Sequence, residues 1–141
     1  MSRRKQMIFW PLFVAVLFTI MMVITGGNGV DLDFGDDSLT IIGPEKYAFT
    51  IAYDNIAELA LVTLGDPGSP TSEGQENRNF RWGEWANNDW QTYTICASKN
   101  MTQYILITTS DGKHITFNYQ NSETTAEVYR MFTELLASKN Y

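Results

Sequence analysis

The 141-residue chain contains one cysteine and one histidine. A lone cysteine rules out an intrachain disulfide framework and a CxxC zinc site. A lone histidine rules out a multi-histidine metal centre. Basic residues are scarce: 10 Lys and Arg stand against 16 Asp and Glu, a formal net charge of -6. Such a chain is not a general nucleic-acid binder, because a phosphate backbone rewards basic faces. No GxGxxG or GxxxxGK[ST] loop occurs, so no nucleotide or other phosphate-bearing cofactor is expected. Apolar residues make up 44% of the chain and aromatics 13%, which is enough for a packed core and too much for a disordered chain.

One long apolar run is present. Residues 7–25 (MIFWPLFVAVLFTIMMVIT) carry no charge. As a helix they would span about 28 Å, close to a bilayer's hydrocarbon layer. Pro11 lies near the start, where its missing N–H matters least, and Trp10 suits an interface. The expectation is a transmembrane signal-anchor behind a basic cytoplasmic stretch, residues 1–6, holding Arg3, Arg4 and Lys5. The first charges after the run are Asp31, Asp33, Asp36 and Asp37, and this asymmetry predicts an extracytoplasmic domain on a single-pass protein of the cell membrane. A cleaved signal peptide and a buried core helix remain open alternatives. No cysteine stands directly after the run, which excludes a lipoprotein-type lipid anchor. All 16 acidic residues but only seven of the basic ones lie beyond residue 25, a net charge of -9.

After a linker at 26–36 comes a run of strand signals. Residues 38–42 (SLTII) end at Gly43-Pro44, a turn. In 47–53, Tyr47, Phe49, Ile51 and Tyr53 share one face and Ala48, Thr50 and Ala52 the other. Residues 56–64 are apolar enough for a central strand. Residues 65–79 are rich in Gly, Pro, Ser and Glu and read as a long exposed loop. Residues 80–87 and 91–98 form a pair around Asn88-Asp89. Residues 103–109 and 114–119 flank Ser110-Asp111-Gly112, a hairpin signal. A helix over about 122–138 closes the chain. Thr124 with Glu127 suits a capping box, with Ser122 an alternative cap, and Val128, Phe132 and Leu135, joined by Met131 and Leu136, form its apolar side.

The order of these signals resembles the bacterial pleckstrin-homology-like family of small membrane-anchored proteins of unknown function. The resemblance is carried by Ile51-Ala52-Tyr53-Asp54-Asn55-Ile56, Arg81-Trp82-Gly83, Trp90 to Tyr93, and the stretch from Ile105 to Tyr129 with Asp111-Gly112, Phe117-Asn118 and Thr125. It covers roughly residues 37–138. It implies a seven-stranded antiparallel β-barrel over 37–141, capped by the C-terminal helix, and no catalysis. Eukaryotic relatives often bind phosphoinositides through basic residues of the first strand–loop–strand. The matching loop here, Gly43-Pro44-Glu45-Lys46, has one Lys beside one Glu, too little charge for a multiply phosphorylated headgroup.

Chemistry-bearing residues are dispersed. His114 begins a strand and is expected to face solvent. Cys96, between Ile95 and Ala97, reads as a small strand residue, with intermolecular pairing or a reactive thiol as the alternative. Residues 31–37 (DLDFGDD) faintly resemble a calcium loop, but Asp36 stands where glycine is required and Ile42 where the bidentate glutamate is required, so a solvated acidic stretch is expected and no metal. Trp82, Trp85 and Trp90 follow the long loop. With Asp66, Glu73 and Glu76 they form the expected partner-binding surface, unless the indoles simply pack inward. The function read from the residues is a binding or scaffolding module for a protein or peptide. The alternatives are a small extracytoplasmic hydrolase and, if the topology is reversed, a cytoplasmic membrane-bound adaptor.

Overall fold

The computed structural model describes residues 29–139. Three strands form a first antiparallel sheet: β1 (Asp31–Phe34), β2 (Ser38–Ile42) and β3 (Ala48–Ala52), in that order. Six strands form a second sheet: β4 (Ile56–Thr63), β5 (Ser69–Glu76), β6 (Phe80–Asn87), β7 (Gln91–Ser98), β8 (Gln103–Thr109) and β9 (His114–Phe117). Its order is β4-β8-β9-β7-β6-β5, with only β7 and β9 parallel. Helix α1 (Ser122–Lys139) ends the described chain.

Period-two alternation builds the core. On the first sheet Leu39 pairs with Ile51 and Ile41 with both Leu32 and Phe49, which puts one apolar face inward. It meets Ile105, Ile107, Ile115, Phe117 and Cys96 of the second sheet and Val128, Met131, Phe132 and Leu135 of α1. A second cluster, Leu64, Trp85, Tyr93, Ile95, Ala97 and Tyr104, lies on the opposite face of the six-stranded sheet. Strand β7 is therefore covered on both sides, which explains its nearly unbroken burial from Tyr93 to Ala97.

The structure corrects the expected seven-stranded barrel. Among the described residues strand β3 bonds to β2 alone, and the six-stranded sheet ends on β4 and β5, so neither sheet closes. A barrel needs its outer strands bonded to each other, and among the described residues β4 and β5 are not, while β9 lies between β7 and β8 and runs parallel to β7. Two strands were not expected. Strand β1 occupies part of the expected linker 26–36, and its Leu32 is buried. Strand β5 runs through the expected loop 65–79, pairing with β6 across a register break between Pro70 and Gly74. Its composition is that of an edge strand wet on both sides, where Pro is tolerated. Opposite the break, Gly83 adopts φ 90, and an added methyl there would run into the Glu73 carbonyl oxygen.

The helix cap also differs from expectation. Asn121 accepts the Thr124 N–H on its Oδ1 at 2.8 Å, and its carbonyl takes the Thr125 N–H at 2.9 Å, so Asn121 is the N-cap rather than Ser122 or Thr124. The freed Thr125 hydroxyl bonds both Tyr119 N–H (2.9 Å) and Tyr119 C=O (2.8 Å), pinning helix to sheet.

The expected single-pass membrane assignment is corrected as well. Among the described residues no helix is long and apolar enough to cross a membrane. Helix α1 is amphipathic and spends its apolar side on the core. The segment on which the transmembrane, signal-anchor and extracytoplasmic expectations rested, residues 7–25, lies outside the described residues.

Candidate binding cleft

Because the sheets do not close, strand β3 keeps one edge unpaired among the described residues. Which of its groups point there follows from antiparallel alternation. Gly43 N–H bonds the Tyr47 carbonyl at 2.8 Å, and Tyr53 N–H bonds the Asp37 carbonyl at 2.9 Å, one bond at each end of the β2–β3 ladder. Hydrogen-bonded pairs recur at every second residue, so Phe49 and Ile51 spend their backbone groups on Ile41 and Leu39. Ala48, Thr50 and Ala52 then present N–H and C=O outward. The Thr40 and Thr50 hydroxyls, 2.8 Å apart, sit in the intervening close pair.

A cleft of about 340 Å³ runs along this edge. Phe49, Thr50, Ile51 and Ala52 all line it. Consecutive strand residues point to opposite faces, so four in a row along one cleft mean that it follows the strand's edge. Across it lie Thr92, Tyr93 and Thr94 of β7, with Glu84 of β6 and Ile115 of β9. The pairing of β7 with β9 begins at Thr94, so the earlier part of β7 also turns an uncovered edge toward the cleft. The β8–β9 hairpin, with Asp111 and Lys113, closes one end.

Local bonds hold the polar groups in place. The Thr71 hydroxyl donates to Glu84 Oε1 at 2.9 Å. In the hairpin Gly112 has φ 86, Lys113 N–H bonds Thr109 Oγ1 at 2.9 Å, and Thr109 Oγ1–H donates to Asp111 Oδ1. That bond is the main cause that holds the Asp111 carboxyl below its ordinary pKa, with the neighbouring Lys113 adding to it. Lys113 Nζ lies 3.9 Å from Asp111 Oδ2. His114, expected to face solvent, is half-buried. Its ring stacks on Trp90 at 5.4 Å and 11°, and Trp90 meets Tyr93 edge-on at 5.1 Å.

The structure does not assemble the surface expected from sequence. Trp82 (3% exposed) and Trp85 (2% exposed) are buried on opposite faces of the sheet, in different clusters. The Trp85 indole N–H is directed at the carbonyls of Trp82 (3.3 Å) and Gln75 (3.4 Å). Trp90 is half-buried in its stack with His114. Asp66 Oδ1 accepts the Gly68 N–H at 2.9 Å, Glu73 is exposed, and Glu76 pairs with Lys99 at 2.6 Å. Cys96 is buried, and desolvation pushes its thiol pKa up to about 12. Among the described residues no cluster of His, Cys, Asp and Glu could hold a metal ion. The cleft residues Thr50, Ala52, Glu84 and Thr94 carried no sequence signal beyond strand alternation.

Compared with protein-family models, with curated proteins and with solved structures, the chain matches none, so nothing identifies a pleckstrin-homology-like family.

Proposed function

We propose that this chain is a binding module for an extended segment of a protein or peptide partner, taken up by strand addition to β3. One observation carries the reading: four consecutive residues of a strand whose edge is unpaired among the described residues line one cleft. An added strand would satisfy the outward N–H and C=O groups of Thr50 and Ala52, while its alternate side chains would enter the cleft. Main-chain pairing of this kind supplies affinity with little dependence on sequence, and cleft contacts supply selectivity. A binding role needs no paired nucleophile and base.

The test uses random decapeptides displayed on phage and selected on the purified chain. Bound peptides should slow amide exchange at Thr50 and Ala52. Thr50→Pro deletes an outward N–H on an edge strand, where proline is tolerated. It should abolish binding and keep the parent circular dichroism. Ile51→Pro, whose N–H faces β2, should instead disrupt the fold. Peptides that bind Thr50→Pro as well as the parent would refute strand addition.

A further inference from the structure

Glu84 stands out among the charged groups of the cleft. Asp111 and Lys113 face each other at the hairpin and offset one another. Glu84 is half-buried, and among the described residues its carboxylate accepts a hydrogen bond from the Thr71 hydroxyl alone. No Lys or Arg among the described residues forms an ion pair with it. A carboxylate drawn partly out of water gains most from a cation that brings its own hydrogen bonds. Glu84 pairs across the ladder with Thr94, which also lines the cleft, and Ile51 and Ile115 give the same space an apolar floor.

We infer that the partner segment carries a basic residue, arginine or lysine, whose side chain enters the cleft and pairs with Glu84. This rests on the strand-addition reading above. Neighbouring inward positions, two residues to either side, would be aliphatic to match Ile51 and Ile115. Outward positions would lie beside exposed Thr50 and Ala52 and tolerate small polar residues. Five residues span about 17 Å, enough to follow the lined stretch of β3. The acidic excess of the chain, 16 acids to 10 bases, adds long-range attraction for the same partner.

The experiment measures binding of blocked Val-Thr-Arg-Thr-Val by titration calorimetry, with analogues carrying citrulline or glutamate at the centre. Citrulline keeps the shape of arginine and removes the charge. The arginine peptide should bind the parent chain about tenfold or more tighter than the citrulline peptide, and the glutamate peptide should be weakest. Glu84→Gln retains an acceptor for Thr71, so it should erase the arginine advantage over citrulline. Arginine and citrulline peptides binding equally, both losing affinity to Thr50→Pro, would overturn the role of Glu84 and leave strand addition standing. An arginine preference that persists in Glu84→Gln would likewise overturn it. Binding of all peptides unaffected by Thr50→Pro, or no binding by any of them, would overturn both.

Discussion

Removing the Phe132 ring should loosen the packing of helix α1 against the first sheet. The side chain is fully buried and touches the aromatic groups of two other elements. Its ring centroid lies 5.2 Å from Phe34 on β1, at 77°, and 6.3 Å from Tyr53, after β3, at 63°. A buried phenylalanine removes about 150–250 Å² from water, and at about 25 cal/mol per Å² this gives roughly 4–6 kcal/mol as an upper figure. Alanine keeps part of that area, and the cavity left behind relaxes only partly, so Phe132→Ala should cost about 3–5 kcal/mol. With a urea dependence of about 2 kcal/mol per M, the midpoint should fall by about 2 M. Phe132→Leu fills most of the space and should lose only about 1–2 kcal/mol. The assay is equilibrium urea unfolding followed by circular dichroism and by tryptophan emission, which buried Trp82 and Trp85 should make sensitive to the transition. A Phe132→Ala midpoint within about 0.5 M of the parent at unchanged slope would refute the view that α1 is an integral wall of the core.

Two further outcomes follow from the electrostatics. Burial raises the Cys96 thiol to about 12, so its thiolate fraction at neutral pH should be about a thousandfold below that of an ordinary cysteine; iodoacetamide should label it only in denaturant, and rapid labelling of the folded chain would contradict the core placement. The Asp111 carboxyl is held below its ordinary pKa chiefly by the Thr109 hydroxyl, and a depressed folded-state value contributes stability above the unfolded pKa that is lost as pH falls through the folded one. The thermal-midpoint advantage of the parent over Asp111→Asn should therefore be present at pH 6 and disappear in acid. A carbon-13 titration placing Asp111 at or above about 3.9 would refute the assignment.

β2, β6, β7 and β8 lie where their alternation and flanking turns placed them, and the Asp111-Gly112 hairpin formed as its dipeptide indicates. These features depend on neighbours within a few residues. β5 was missed because Ser, Pro, Gly and Glu on an edge strand look like a loop when both faces meet water. β1 was missed because it is only four residues long and its two apolar positions, Leu32 and Phe34, are interleaved with Asp31 and Asp33. Of the expected surface, the indoles of Trp82 and Trp85 went to opposite faces of one sheet. A cluster of aromatics in sequence does not say which side of a two-sided sheet each will join.

The sequence by itself determined that this is a chain of strands closed by one amphipathic helix, with an acidic surface and with Val128, Met131, Phe132 and Leu135 turned to a core. Those properties come from composition and from periods of 2 and 3.6 residues, which are local. Only the tertiary structure decided that β9 enters between β7 and β8, that the sheets stay open, and that β3 keeps a bare edge beside Glu84. Strand order is set by pairing between residues far apart in the chain. The free energy of each possible neighbour is summed over a whole face, so no single stretch of residues can carry that information.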